Sequence, residues 1–258
     1  MGDGTIAPVH IKDVVIGEGS SKIIVPLTGR TPDDLHTQVG ALTGGPADIV
    51  EWRVDFFDEL DDHASVAAQA HGLARQLDGT PLLATCRTAH EGGQAVIDDR
   101  TYADLNVALT ESGAVDLVDV EYRRDPEVVQ RIIAAAHTGG VAVVASNHDF
   151  DGTPDRDEIV SRLRAMQDLG ADICKIAVMP RSAADVLTLL DATRIMHEQY
   201  ATRPLITMSM GALGVISRLG GQVFGSAATF GTVGAASAPG QVDAAALRAV
   251  LELLDRSR

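Results

Sequence analysis

Lys175 interrupts an otherwise apolar run, Asp172-Ile173-Cys174-Lys175-Ile176-Ala177-Val178. Lysine is almost never fully buried unless it is paired. Burial and nearby cations both favour its neutral amine, the form that attacks a carbonyl. Schiff-base chemistry is one use for such a residue, and an ion pair with Glu51, Asp55 or Glu121 is the other. His148 favours the first. It closes the preceding β-type run in Ser146-Asn147-His148-Asp149-Phe150, and neighbouring strands lie about 5 Å apart. A lysine nucleophile and a histidine acid/base within mutual reach are the parts needed to act on a ketone.

Other β-type runs also end in polar groups. In Glu51-Trp52-Arg53-Val54-Asp55 a period of two puts the three charges on one face and Trp52 and Val54 on the other. Such a face is either a self-satisfied salt-bridge layer or a binding site. Arg87 and Glu91, in Thr85-Cys86-Arg87-Thr88-Ala89-His90-Glu91-Gly92-Gly93, read on their own as a loop ion pair. Asp119-Val120-Glu121 ends a further run, and Met208-Ser209-Met210 leads into a glycine-bearing stretch that contains Arg218. Arg218 suits a carboxylate or phosphate through bidentate donation. Ser237 and Gln241 lie in the small-residue stretch Ser237-Ala238-Pro239-Gly240-Gln241, which is expected to close as a lid. The eight histidines show no H-E-x-x-H or other ligand spacing, so no metal is expected. Cys86 and Cys174 are far apart and fall on the opposite parity from Arg87 and Lys175. They read as small core residues of a protein from a reducing cytoplasm.

Something must bring these ends together. Short β-branched runs recur at 22–27, 48–54, 81–86, 115–121, 141–146, 172–178, 204–210 and 222–229. Their centres are nearly all apolar, as in parallel strands covered on both faces. Helical patterns fall between them at 31–43, 65–77, 99–112, 126–137, 154–169, 182–200, 212–219 and 242–254. Thr31-Pro32 opens the first as an N-cap followed by proline at the first helical position. Alternation means a parallel sheet, and eight units is the count that closes a (β/α)8 TIM barrel, whose sites form at the C-terminal strand ends. No linker divides the chain, so residues 1–258 are expected to form a single barrel domain. Residues 1–21 would serve as an N-terminal β-hairpin closing the floor.

Composition narrows the function. The chain has 258 residues, and its formal charge is 21 − 36 = −15. That balance argues against a nucleic-acid partner, which calls for a basic footprint. Five Phe, three Tyr and one Trp are too few and scattered for a base-stacking platform. No apolar run approaches the roughly 20 residues of a membrane span. The opening MGDGTIAPVHIKD lacks the apolar stretch of a secretory signal. A small-molecule substrate is the expectation.

Taken together, EWRVD, TCRTAHEGG, SNHDF, DICKIAVMP, ITMSM, GVISRLGGQVFGSAATFG and SAPGQ resemble type I 3-dehydroquinate dehydratase. The likeness runs from about Lys22 to Gln241, with the motifs in order and at comparable spacing. It implies a (β/α)8 barrel that removes water from 3-dehydroquinate through a lysine Schiff base, in the shikimate pathway, with no metal or organic cofactor. Carried over by motif, Lys175 is the Schiff-base lysine, His148 the general acid/base, and Glu91 the carboxylate that orients the histidine. Glu51, Arg53, Arg87, Met208, Met210, Arg218, Ser237 and Gln241 match substrate-contacting positions. The resemblance also implies a homodimer. Three positions depart from the pattern: Pro26 stands for a common Ser, His90 for a Lys, and Ala212 for a Lys. They bear on loop details and affinity, not on the reaction.

Overall fold

The structure is a computed structural model that describes residues 6–42, 44–234 and 240–256. Strands β1 (Val9–Ile11) and β2 (Val14–Ile16) pair antiparallel. The chain then alternates through β3 (Lys22–Leu27), α1 (Pro32–Leu42), β4 (Ile49–Arg53), α2 (His63–Gln76), β5 (Leu82–Thr85) and α3 (Asp99–Glu111). It continues with β6 (Leu117–Glu121), α4 (Pro126–Thr138), β7 (Ala142–Asp149), α5 (Arg156–Asp168), β8 (Ile173–Val178) and α6 (Ala183–Gln199). Last come β9 (Leu205–Ser209), α7 (Val215–Gly220), β10 (Ala228–Thr232), β11 (Val242–Asp243) and α8 (Ala244–Asp255). The parallel sheet runs β11-β10-β3-β4-β5-β6-β7-β8-β9. It curls until the start of β9 meets the residues before β10: Ala227 N donates to Leu205 O over 2.7 Å, and Leu205 and Ser226 form a parallel bridge. The expected TIM barrel is thus present.

Strand alternation divides the core. Ile24, Ile49, Leu83, Leu117, Val144, Ile173 and Ile206 face the barrel interior, and Val9, Ile11 and Ile16 of the β1–β2 hairpin pack into the same cluster. The hairpin therefore closes the floor. The opposite parity, with Val25, Trp52, Val54 and Val120 among its members, faces the helices. Ala145, Cys174, Ile176 and Val178 do the same under α5 and α6. Cys86 and Cys174 are buried on this outer side, as expected, and burial pushes the Cys174 thiol up to about 12. Helix starts are set by local chemistry. Asp34 N donates to Thr31 Oγ1, and Asp62, Asp98, Asp125 and Asp243 cap α2, α3, α4 and α8. Such a cap stabilises a helix by about 1 kcal/mol.

Two elements differ from expectation. The eighth strand begins at Ala228, not 222, because Gly221–Phe224 forms a 3-10 turn. Gln222 holds that turn against the floor and α8, accepting from Ser21 N and donating to Leu251 O. The fifth strand runs past the expected bound at Ser146 to Asp149, and it carries His148 as expected.

Candidate active site

Register brings the polar residues to one level. Thr85 pairs with Asp119, and Ser146 with Lys175; one inward layer nearer the mouth, His148 pairs with Ala177 and Ala177 with Met208. Above them a cavity of about 640 Å³, open mouth included, is lined by Glu51, Arg53, Arg87, Glu91, His148, Lys175, Met208, Met210, Arg218 and Gln241. Ten of the eleven site residues expected from the sequence are therefore gathered. The eleventh, Ser237, lies outside the described residues, as does most of the expected lid.

Lys175 is buried at the cavity floor, with Nζ 3.0 Å from Asp119 Oδ2 and 3.7 Å from Glu51 Oε1. It also lies 4.6 Å above the centre of the Phe230 ring. Of the partners expected for an ion pair, Glu51 is present. Asp55 and Glu121 are engaged elsewhere, and Asp119 takes their place. Asp119 Oδ1 accepts from Arg87 Nη2 at 2.7 Å and from Ser146 Oγ at 2.6 Å. Burial alone would raise its carboxyl, but Arg87 and Lys175 outweigh that and hold it at about 2. A depressed acid stabilises the fold above its ordinary value of 3.8 and loses that contribution as pH falls towards 2. Urea unfolding from pH 5 towards pH 2 should therefore cost the parent about 2 kcal/mol more than Asp119→Asn. Parallel pH slopes for the two proteins would contradict this.

Glu91 sits in a 3-10 turn, Ala89–Glu91, beside the end of β7. Its Oε2 lies 3.0 Å from His148 Nδ1 and accepts the His148 backbone N–H at 2.9 Å. The contact assigns the imidazole proton to Nδ1 and leaves Nε2 as the basic nitrogen. Burial, with Arg87, Lys175 and Arg53 nearby, pushes the His148 pKa well below its ordinary value, which favours the neutral ring a general base needs. Burial pushes Glu91 up to about 7 against the pull of Arg87. Gly92 follows with φ +78, and a Cβ there would meet the Phe150 ring at 2.3 Å. Only glycine lets Phe150 close over this turn at the cavity rim.

The arginines differ in role. Arg53 forks onto Asp55 at 2.8 and 2.7 Å. Asp55 is not on the strand face expected from period two but in a 3-10 turn, Val54–Phe56, where it also accepts Gln94 N. In this segment Arg53 pairs with Asp55, while Glu51 and Arg53 line the cavity. Arg87 donates to Asp119, Glu121, Ser146 and Glu91, so the pairing expected within its loop is one of four. Arg218, on α7, is 2% exposed, and burial lowers its pKa to about 10. Its Nη1 contacts Met208 Sδ at 3.6 Å. Gly240 (φ +74) returns the chain so closely over Gly211 that a Cβ would meet its carbonyl at 2.3 Å, and this sets Gln241 at the cavity.

Asp119 stands out in the sequence as a polar strand end but not as a site residue, and Phe150 and Phe230 are not singled out at all. Asp119 was recoverable from strand parity, since it shares a face with Glu121. Phe230 lies on the displaced eighth strand and was not. Pro26 sits at the register of Glu51, whereas His90 and Ala212 are exposed. No cluster of three or more His, Cys, Asp or Glu suited to a metal ion occurs among the described residues.

Comparison with known proteins agrees with this geometry. The family described as type I 3-dehydroquinase matches residues 23–258. A 3-dehydroquinate dehydratase of Syntrophotalea carbinolica is 50% identical over 249 residues, covering 96% of this chain and 98% of the relative. One from Salmonella typhimurium is 51% identical over 249 residues, with coverage of 96% and 99%. The crystal structure of a type I 3-dehydroquinate dehydratase from Clostridium difficile, carrying covalently modified comenic acid, superposes with a TM-score of 0.95 at 46% identity, over 98% of this chain and 99% of that one. The chain belongs to the type I 3-dehydroquinase family.

Proposed function

We propose that Lys175 forms the Schiff base of the dehydration and that His148 moves both of its protons. The carrying observation is that an amine and an imidazole, one inward layer apart on β8 and β7, open into one cavity, with Glu91 on the imidazole Nδ1. Lys175 adds to the substrate ketone and water leaves, giving a protonated imine. His148 Nε2 takes a proton from the adjacent carbon, and the electron pair moves into the imine as an enamine. The enamine expels the hydroxyl one carbon further on, protonated by the imidazolium, so a second water departs from the same face. Hydrolysis of the conjugated imine returns Lys175 and frees the enone. Glu51, Arg53 and Arg87 hold the ring hydroxyls, Met208 and Met210 pack on the ring, and Ser237 and Gln241 cover it.

Arg218 pairs with the substrate carboxylate, which explains how a chain of net charge −15 accepts an anion. Distant charges act through screened solvent, while the local cations decide. Incubation with 3-dehydroquinate should raise the ultraviolet absorbance of the enone. Arg218→Ala should raise KM about 10- to 100-fold, the loss of one charge-assisted contact. Folded protein without absorbance gain, or an unchanged KM in the variant, would count against the respective assignment. The same reading makes the chain one barrel domain, with residues 1–21 as its floor extension. It also makes the protein a homodimer of the cytoplasm without a nucleic-acid partner. The two free thiols support that compartment; among the described residues no helix is long and apolar enough to cross a membrane.

A further inference from the structure

His148 has a neighbour on β7 that faces the other way. By strand alternation Asn147 turns outward under α5, where it is buried to 3% exposure. Two groups bracket its amide. Arg162 Nη1, from α5, lies 3.0 Å from Asn147 Oδ1, and Asn147 Nδ2 lies 3.1 Å from Glu91 Oε1. A guanidinium has only donors. The amide must therefore present its oxygen to Arg162 and its NH₂ to Glu91; turned over, it would set N–H against N–H on one side and oxygen against carboxylate on the other. Arg162 is itself fixed, Nε on Glu158 Oε1 at 2.8 Å and Nη1 on Asp149 Oδ2 at 3.0 Å.

We infer that Arg162 and Asn147 are positioning residues for the dehydration, which fix the tautomer of His148 through Glu91. This rests on the reading of His148 as the base. The amide occupies Oε1 of Glu91 and leaves Oε2 to accept both N–H groups of His148. With the amide reversed, an oxygen would face Glu91 Oε1 at close range, and the carboxylate would have to turn away or take up a proton there, so that His148 Nδ1 would lose the charged acceptor now held on Oε2. The imidazole would then be free to carry its proton on Nε2, the nitrogen that must abstract one. The charged groups that face Glu91 are Arg87, Glu121, Asp119 and His148. Those facing Arg162 are Glu158 and Asp149, with Tyr122 beside it and Arg123 sharing Glu158 Oε1.

The first test needs no change at Arg162 or Asn147. The ¹⁵N imidazole spectrum of the free enzyme near pH 7.5, with His148 assigned by its disappearance in His148→Ala, should show protonation on Nδ1. Protonation on Nε2 overturns the inference. Arg162→Met and Asn147→Asp should each lower kcat about 10- to 100-fold, the order seen when the outer partner of an oriented histidine is removed. KM should stay within about threefold, borohydride trapping should persist, and the His148 spectrum should lose its single Nδ1–H form. Arg162→Lys, still a pure donor, should recover part of the loss. Asn147→Asp combined with Glu91→Gln should exceed Asn147→Asp alone, because donor and acceptor have then exchanged places. Folded Arg162→Met and Asn147→Asp with kcat within twofold of the parent would also overturn it. Should a variant lose the fold, the parent spectrum decides. The role of His148 as base fails separately, on the turnover of His148→Ala.

Discussion

Replacing Lys175 by alanine should abolish turnover, to below about 10⁻⁴ of the parent, a barrier increase of about 5.5 kcal/mol or more. The step at risk is bond formation itself. Without the amine there is no imine, and the carbon acid stays next to a ketone, a weaker electron sink than a protonated imine. The fold should survive. Asp119 keeps Arg87 and Ser146 on Oδ1, and Glu51 keeps Thr85 Oγ1 at 2.8 Å. Loss of activity can thus be separated from loss of structure by thermal unfolding.

Covalent trapping makes the test sharp. The chain contains three lysines, Lys12, Lys22 and Lys175. Lys12 is exposed and bonds Asp116 beside the floor hairpin, and Lys22 bonds the carbonyls of Glu18 and Ser20 at the start of β3, so neither reaches the cavity. Borohydride added with 3-dehydroquinate should attach the reduced substrate to the parent at Lys175 and leave Lys175→Ala unmodified. An adduct at either floor lysine, or turnover in the variant near that of the parent, would contradict the assignment.

Much of this site was legible before any coordinates, for a physical reason. A parallel barrel buries both faces of every strand, so a charge inside an apolar run stands out. Lys175, Glu51, Arg53 and the Asp119/Glu121 pair are all conspicuous in this way. The reading was weaker where position depends on partners remote in sequence. On spacing alone Glu91 and Arg87 looked like a loop ion pair; the resemblance implied Glu91 as the partner of His148, and the return of β7 beside their loop supplies the contact. Asp55 follows the period of two on paper but is drawn into a turn by Arg53. The eighth strand was misplaced because Gln222 is held by Ser21 and Leu251, contacts that span most of the chain and leave no local trace. Asn147 and Arg162 are the extreme case. One looks like a filler beside a histidine and the other like a helix surface arginine until α5 is laid over β7.

His148→Ala should lower turnover about 10²- to 10⁴-fold, the usual worth of a positioned acid/base, while leaving imine formation intact. The two effects separate because the residues sit in different layers. Lys175 rests on Asp119 and Glu51, neither of which bonds His148, so deleting the ring does not disturb the amine. Nor should Glu91 wander, since the backbone N–H at position 148 still reaches its Oε2, as it does at 2.9 Å in the parent. The variant should therefore accumulate the covalent adduct: borohydride with 3-dehydroquinate should label it at Lys175 at least as fully as the parent. Exchange of the proton next to the imine should slow as well, because the group that removes it is gone. In deuterated solvent the parent should return exchanged substrate, and the variant should return substrate that has formed and lost the imine without exchange. A variant that exchanges and turns over like the parent would remove His148 from both proton transfers. One that also failed to form the adduct would place His148 earlier, in the assembly of the imine.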